Sequence, residues 1–541
     1  MIRALPVFFG MFIFFVAASL PMRAAISDPV KTADGLLSGV TMADGVRVFK
    51  GIPFGAPPVG PLRWKDPQPV ARWEGVRKAD VYGNVCMQNP ALQRFPTNVA
   101  TDAPGAPKMS EDCLYLNVWT AAARANERRP VMVWLYGGGY SEGSGSSPHN
   151  DGDYLAKKGV VLVTFNYRLG TFGFFAHPEL TVESGRNASG NQALADAVTA
   201  LKWVQTNIAA FGGDPRNVTI FGESAGAALN GLLIASPPAK GLFHRAIAQS
   251  GSFMGLSSNM PNGYTPRARS EQPAPGRGGA PAPPLVPLTE LRARSTAEAM
   301  KAGGRGGPII DGYYLPEDPS AIFAKGQQNA VDILMGANRD EGLAFGGGPA
   351  SAQKFTAQVR QRFGDLADAY LKLYLASTDA EATASTTARF SEEMFWHAKM
   401  TADRQLKLGK KAWLYWFTHE PPPTPGQRVW KATHTAEIPY VFGTLGQLRV
   451  YPDPSSPELS AASPAERAFA ETVSSYWVNF AKTGDPNGRG LPKWPDYKDG
   501  RTGRPIVLKA KEDPAEGAPN WEKMELYDQL YNRELAAFLA K

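Results

Sequence analysis

The hydrophobic positions of the chain follow two patterns. "PVMVWLY" (130–136) and "GVVLVTFNY" (159–167) are short, unbroken apolar runs rich in valine. Such runs suit strands buried on both faces of a mainly parallel sheet. "NQALADAVTALKWVQTNIAAF" (191–211) spaces its apolar residues three and four apart without a breaker, which predicts an amphipathic helix. After it, "GGDP" predicts a turn, "NVTIFG" (217–222) a β-branched strand, and "SAGAALNGLLIAS" (224–236) a helix of small residues. Strand and helix alternate, so the expected class is α/β, a mostly parallel sheet flanked by helices. The pattern breaks at Pro261 to Pro287, where Pro, Gly and Arg dominate and a flexible low-complexity loop is expected. "KAGGRGG" (301–307) is a second flexible spot, without the lysine and hydroxyl pair of a phosphate-cradling loop. Order resumes with "AVDILMGANRDEG" (330–342), and no internal repeat follows.

Composition narrows the class. With 43% hydrophobic and 11% aromatic residues the chain can bury a sizeable core, which excludes general disorder. Its formal charge of +7 is spread over 57 basic and 50 acidic residues. No basic block interleaved with aromatics is present, so no nucleic-acid partner is expected. Residues 1–25 carry one early positive charge, an apolar stretch and then small residues, the layout of a secretory signal cleaved between Ala18 and Ala25. A secreted or periplasmic protein without a stable membrane anchor follows, with residues 26–541 as a single domain. Cys86 and Cys113 are the two cysteines, and an even pair in an exported chain reads as one disulfide. No histidine or cysteine spacing nearby supports a metal.

Three consecutive glycines, 137–139, end the run "VMVWLY". Glycine costs conformational entropy, so the run points either to a spacer or to bare backbone that approaches a ligand. "FGESAGA" bears on the choice. Gly222, Glu223, Ser224, Ala225 and Gly226 form Gly-X-Ser-X-Gly between a predicted strand and a predicted helix, where a sharp turn holds the serine hydroxyl out of the sheet. A nucleophilic serine needs a base, and the chain offers His149, His177, His244, His397, His419 and His434. In the strand–turn–helix arrangement the order is serine, acid, histidine, so the base lies well beyond Ser224. His397 and His419 sit in aromatic, helix- or strand-like settings, which leaves His434 in the loop-like "KATHTAEIPYVFG". The acid should follow a strand between them. "NRDEG" fits, with Asp340 and Glu341 both available.

"EDCLYLNVW" (111–119), "NYRLGTFGF", "GGDPRNVTIFGESAGA", "DEG" and the His434 loop, in this order, resemble the type-B carboxylesterase family. The resemblance extends to "WVNFAKTGDPN" and "WPDY" near the C-terminus. It implies an α/β-hydrolase fold with helical insertions around the site, and Glu341 as the acid. It also implies Gly138, Gly139 and Ala225 as oxyanion-hole donors, a Cys86–Cys113 disulfide and a further hydroxyl, Ser250, near the triad. Tyr136 is expected to pack or hydrogen-bond behind the donor glycines. No tryptophan lies between the cysteines, where cholinesterases place a choline-stacking one. The function expected is a secreted serine carboxylic-ester hydrolase, acting on a small-molecule ester through an acyl-enzyme and needing no cofactor. A lipase or an amidase or carbamate hydrolase on the same scaffold is the alternative. A non-catalytic adhesion-type module is a second, opposed by the complete set of Ser224, Glu341 and His434.

Overall fold

The computed structural model describes residues 26, 28–89, 107–257, 260, 262–273, 282–301, 306–345, 351–420, 431–445, 463–498, 504–510 and 519–540. The leader, 1–25, lies outside them, as does most of 301–307. Among the described residues ten strands form the main sheet: β1 Val40–Thr41, β2 Arg47–Pro53, β3 Tyr115–Thr120, β4 Arg129–Leu135, β5 Val161–Phe165, β6 Gly213–Glu223, β7 Arg245–Gln249, β8 Asp332–Asn338, β9 Ala412–Phe417 and β10 Ile506–Leu508. Their order is β10-β9-β8-β7-β6-β4-β5-β3-β2-β1. From β5 to β10 every pairing is parallel, while β3, β2 and β1 add an antiparallel edge.

The main helices are α1 Gln192–Asn207, α2 Ala225–Ala235, α3 Asp379–Leu406, α4 Ile438–Phe442, α5 Pro464–Thr483 and α6 Trp521–Leu539. The spacing that predicts α1 also orients it. Leu194, Ala197, Val198, Leu201 and Val204 are all buried. Each leucine or valine so buried contributes roughly 1.5–3 kcal/mol relative to exposure. Helix α2 packs on β6 and β7, and α3 on β8 and β9. None of the helices among the described residues is long and apolar enough to cross a membrane. Cys86 and Cys113 are joined as a disulfide, with Cα atoms 4.9 Å apart.

The chain leaves β4 to one side to form β5, then returns to the other side as β6. The strand order therefore reverses at β4, and a crevice opens outside the carboxyl ends of the strands there, where α/β sheets bind their ligands. Two local expectations change. "GGDP" is not a free turn: Gly213 already pairs with Arg129, and the register shifts before Val218 pairs with Val131. The intervening bulge is held by an Arg128–Asp214 ion pair.

Within 261–287, the described residues 262–273 are more ordered than the composition suggests. Residue 261 and residues 274–281 lie outside the described set. Within 262–273, Tyr264 is buried, its N–H donates to Asp318 Oδ2 at 2.8 Å, and Arg267–Ser270 forms a short helix. Beyond it, Leu288 and Leu291 pack with Trp64, Phe172, Phe175 and Leu180. A composition averaged over the segment hides its one aromatic anchor. Tyr264→Ala should therefore destabilise by about 3 kcal/mol, the scale of losing a large buried aromatic. Urea unfolding checks it, and an unchanged midpoint would mean that the segment anchors nothing.

Candidate active site

Ser224 follows the last residue of β6 and precedes the first residue of α2. Its backbone sits at φ 56°, ψ −123°, a sparsely populated conformation that costs about 1–3 kcal/mol. Such a residue persists only where its surroundings over-determine it. Here its N–H donates to Gln249 O at 2.9 Å and its carbonyl accepts from Ala228 N–H at 2.8 Å. A Cβ on Gly222 would lie 2.6 Å from Leu135 O, and one on Gly226 only 2.0 Å from it. Both glycines are thus required by the approach of β4. Ala225 opens α2, so its N–H has no partner within the helix and lies at the positive end of the helix dipole.

The glycine loop leaves β4 directly beside this turn. A Cβ on Gly137 would lie 2.6 Å from Glu223 Oε2 and 3.0 Å from Ser224 Cβ. Gly138 and Gly139 adopt φ 105° and 60°, and neither N–H donates to a backbone carbonyl among the described residues. Behind the loop the rings of Tyr136 and Tyr167 stack at 4.3 Å and 11°. Each phenol bonds the other's main chain: Tyr136 OH donates to Tyr167 O at 2.9 Å, and Tyr167 OH to Tyr136 O at 2.6 Å. Burial pushes both phenols well above the ordinary tyrosine value, so both stay neutral donors.

His434 and Glu341 are both fully buried, and Nδ1 of the imidazole contacts Glu341 Oε2. Glu341 Oε1 accepts from Asn338 N–H at 2.7 Å. Asp340 is turned elsewhere, to Arg339 at 2.7 Å and to Ala432 N–H at 3.1 Å. On its other side the imidazole Nε2 lies 3.1 Å from Glu223 Oε1. Glu223 directly precedes Ser224, so serine and imidazole share one corner of the crevice. The other candidates are occupied elsewhere. His419 pairs with Glu466 at 3.0 Å, His244 Nδ1 accepts from Val218 N–H, and burial pushes His397 down to about 3.

Burial lowers the proton affinity of His434, but Glu223 and then Glu341 more than reverse this and raise it to about 9. Burial also pushes Glu223 well above the ordinary carboxyl range, against the pull of His434. These two shifts compete, because a protonated Glu223 no longer draws a proton to the imidazole. Glu341, in direct contact with Nδ1, draws a proton to the imidazole whichever form Glu223 takes. Glu437 is raised as well, by burial and by Glu341.

Several of these neighbours escape a reading of the sequence. Glu223 lies inside the quoted serine motif, yet no spacing rule says that its carboxylate reaches the histidine. Glu437, Asn338 and Gln249 carry no motif signal at all. Phe345, whose ring lies 4.8 Å from that of His434 and 4.4 Å from that of Phe390, forms an apolar wall beside the imidazole. Ser250 is buried just after β7, at φ 56°, with its N–H on Gly336 O. No group of three or more histidine, cysteine or acidic residues among the described residues could hold a metal ion.

A parallel sheet whose order reverses at β4, with the serine turn, the acid turn and the histidine loop at its carboxyl ends, defines the α/β-hydrolase fold. The chain belongs to the carboxylesterase family, whose model matches residues 27–526. It is 38% identical to the fumonisin B1 esterase of Sphingopyxis macrogoltabida, over 89% of this chain and 87% of that one. It is 34% identical to the para-nitrobenzyl esterase of Bacillus subtilis, over 92% and 97%. Among solved structures, a PNB esterase superposes with a TM-score of 0.73 at 33% identity, over 92% of this chain and 99% of that one. A thermophilic PNB esterase gives 0.74 at 32%, with the same coverage. The protein is a carboxylic ester hydrolase.

Glu223→Gln tests the electrostatics directly. Removing a carboxylate from Nε2 removes a charge that favours the imidazolium, so the His434 titration should move to lower pH. NMR of histidine-labelled protein reads this, and an unmoved titration would show that Glu223 carries its proton throughout.

Proposed function

We propose that the protein is an exported serine esterase in which Ser224, His434 and Glu341 act as one unit. The single observation that carries the reading is the buried Glu341–His434 contact beside the strained Ser224 turn. His434 accepts the hydroxyl proton as Ser224 Oγ bonds to the ester carbonyl carbon. Negative charge then develops on the carbonyl oxygen, and the N–H groups of Gly138, Gly139 and Ala225 receive it. A donor preorganised in this way contributes roughly 3 kcal/mol to the transition state. The C–O bond breaks, the alcohol departs with the proton from the imidazolium, and the acyl group stays on Ser224. Water, deprotonated by His434, then bonds to the acyl carbon, the bond to Ser224 Oγ breaks as the imidazolium returns its proton to that oxygen, and the carboxylic acid leaves. Glu341 orients the imidazole and stabilises its charge.

The substrates are small carboxylic esters, a reading supported by relatives named for para-nitrobenzyl and fumonisin B1 esters. Short aryl esters, long acylglycerols and anilides assayed side by side separate an esterase from a lipase or an amidase. The leader supports export. Only the neutral imidazole accepts a proton, so its raised proton affinity should move the acid limb of the pH–rate profile above that of an ordinary histidine.

Ser224→Ala should abolish hydrolysis of a short aryl ester while leaving the unfolding midpoint unchanged. Glu341→Gln should lower kcat far more than Asp340→Asn, because of these two neighbours Glu341 touches the imidazole and Asp340 is turned to Arg339. The reverse ranking would reassign the acid.

Tyr136 tests the support behind the donors. Tyr136→Ala removes the stacked ring and should lower kcat at least roughly tenfold with KM nearly constant, since misaimed donors act mainly in the transition state. Tyr136→Phe keeps the ring and loses the two hydrogen bonds of its hydroxyl, to Tyr167 O and from Tyr167 N–H, so its defect should be smaller. Full kcat in the alanine variant would mean that the glycines hold their geometry unaided.

A further inference from the structure

Asn338 is the last residue of β8 and is fully buried. Its main-chain N–H donates to Glu341 Oε1 at 2.7 Å. Its side-chain amide donates to Thr433 O at 2.8 Å and to Glu437 Oε2 at 2.5 Å. Thr433 precedes His434 by one residue and Glu437 follows it by three, so one side chain grips the histidine segment on both sides. That segment needs holding. Thr435, β-branched and next to His434, sits at φ 73°, a genuine outlier for such a residue. A strained turn relaxes unless its neighbours fix it. Glu437 is fixed from a second direction as well: Gln249 Nε2 donates to its Oε1 at 3.0 Å, and Trp477 Nε1 holds Gln249 Oε1 at 3.0 Å.

We propose that Asn338 is a positioning residue that sets the distance and angle between the Glu341 carboxylate and the His434 imidazole by bonding the acid with its main chain and the histidine loop with its side chain. The inference rests on the proposed roles of Glu341 and His434. A side chain that merely satisfied buried polar groups would influence stability alone. One that positions the pair also governs the rate and the proton affinity of the imidazole. The groups facing His434 are Glu341 after β8, Glu223 at the end of β6 and Glu437 in its own segment, and the Tyr415 hydroxyl on β9 lies among the same carboxylates.

Asn338→Ala and the nearly isosteric Asn338→Asp test it in the full-length enzyme with a short aryl ester. The alanine variant should lose at least roughly tenfold in kcat, within the ~10²-fold that a misplacement of ~1 Å costs. KM should stay nearly constant, and the acid limb of the pH–rate profile should move to lower pH as the imidazole loses part of its contact with Glu341. The NMR signal of the proton on Nδ1 should move upfield. A neutral aspartic acid can donate one of the two lost bonds and an aspartate neither, so the rate of the aspartate variant relative to wild type should fall as pH rises. Folded Asn338→Ala with wild-type kcat and pH profile would overturn the proposal. Should the alanine variant fail to fold, a pH-independent ratio of the aspartate variant to wild type would overturn it equally. Labelling of Ser224 by a fluorophosphonate separates the two levels. A wild type that is not labelled defeats the esterase mechanism itself, whereas a labelled wild type with unaltered Asn338 variants defeats only the positioning role.

Discussion

The carbonyl oxygen of Leu135 lies where any side chain on Gly226 would have to go. This backbone-on-backbone approach, 2.0 Å from the place a Cβ would occupy, is the constraint on which the site depends. It seats the start of α2 on the end of β4, so Ser224 and the loop after Leu135 meet without intervening side chains. The glycines of both motifs answer one requirement. Gly222 and Gly226 admit the strand to the turn, and Gly137 admits the turn to the loop. Because both segments follow adjacent parallel strands at the point where the sheet order reverses, sheet topology alone brings them to the same edge.

Buried charge is the second organising element. Glu223, Glu341 and Glu437 converge on one imidazole, and an ionised carboxylate out of water is very unfavourable unless paired and hydrogen-bonded. The structure meets this unevenly. Glu341 has the imidazole and a main-chain N–H, Glu437 has two side-chain amides, and Glu223 is driven toward its neutral form. Backbone strain collects at the same edge. Ser224, Ser250 and Thr435 all hold positive φ there, just after β6, just after β7 and beside the imidazole. Strain of this kind survives where neighbours leave no alternative, and for Ser224 and Ser250 the bonds to Gln249 O and Gly336 O supply that restraint.

What could be read from the sequence was whatever a local pattern encodes. The valine runs gave β4 and β5, the three-and-four spacing gave α1, and the glycine-flanked Ser224 announced a turn between strand and helix. Position along the chain narrowed the histidines to His434 but left Asp340 and Glu341 level, because adjacent carboxylates on one turn differ only in where the fold aims them. Glu223, Asn338, Gln249 and Glu437 stayed invisible for the same reason. Each is an ordinary residue at a strand or helix end, and its meaning lies in a partner that other strands deliver. Within 261–287 the bulk composition hid one particular, the buried ring of Tyr264.

The glycine loop is also set from behind. Arg168 and Asp196 form a buried pair, with Nη2 to Oδ1 at 2.7 Å, and the Arg168 N–H reaches the same carboxylate at 2.9 Å. Desolvation offsets most of the Coulombic gain of such a pair, so its net contribution to stability is small. Its geometric consequence is larger. Asp196 lies on α1, Arg168 follows Tyr167, and Tyr167 stacks on and hydrogen-bonds with Tyr136, the residue before the glycines. Replacing the pair by apolar side chains of equal volume could preserve stability, yet it would release the Arg168 N–H and with it the tether between α1 and the Tyr167 segment. The amphipathic helix read first from the spacing of its leucines and valines therefore does more than cover the sheet: through one carboxylate it fixes the segment against which the glycine loop is stacked.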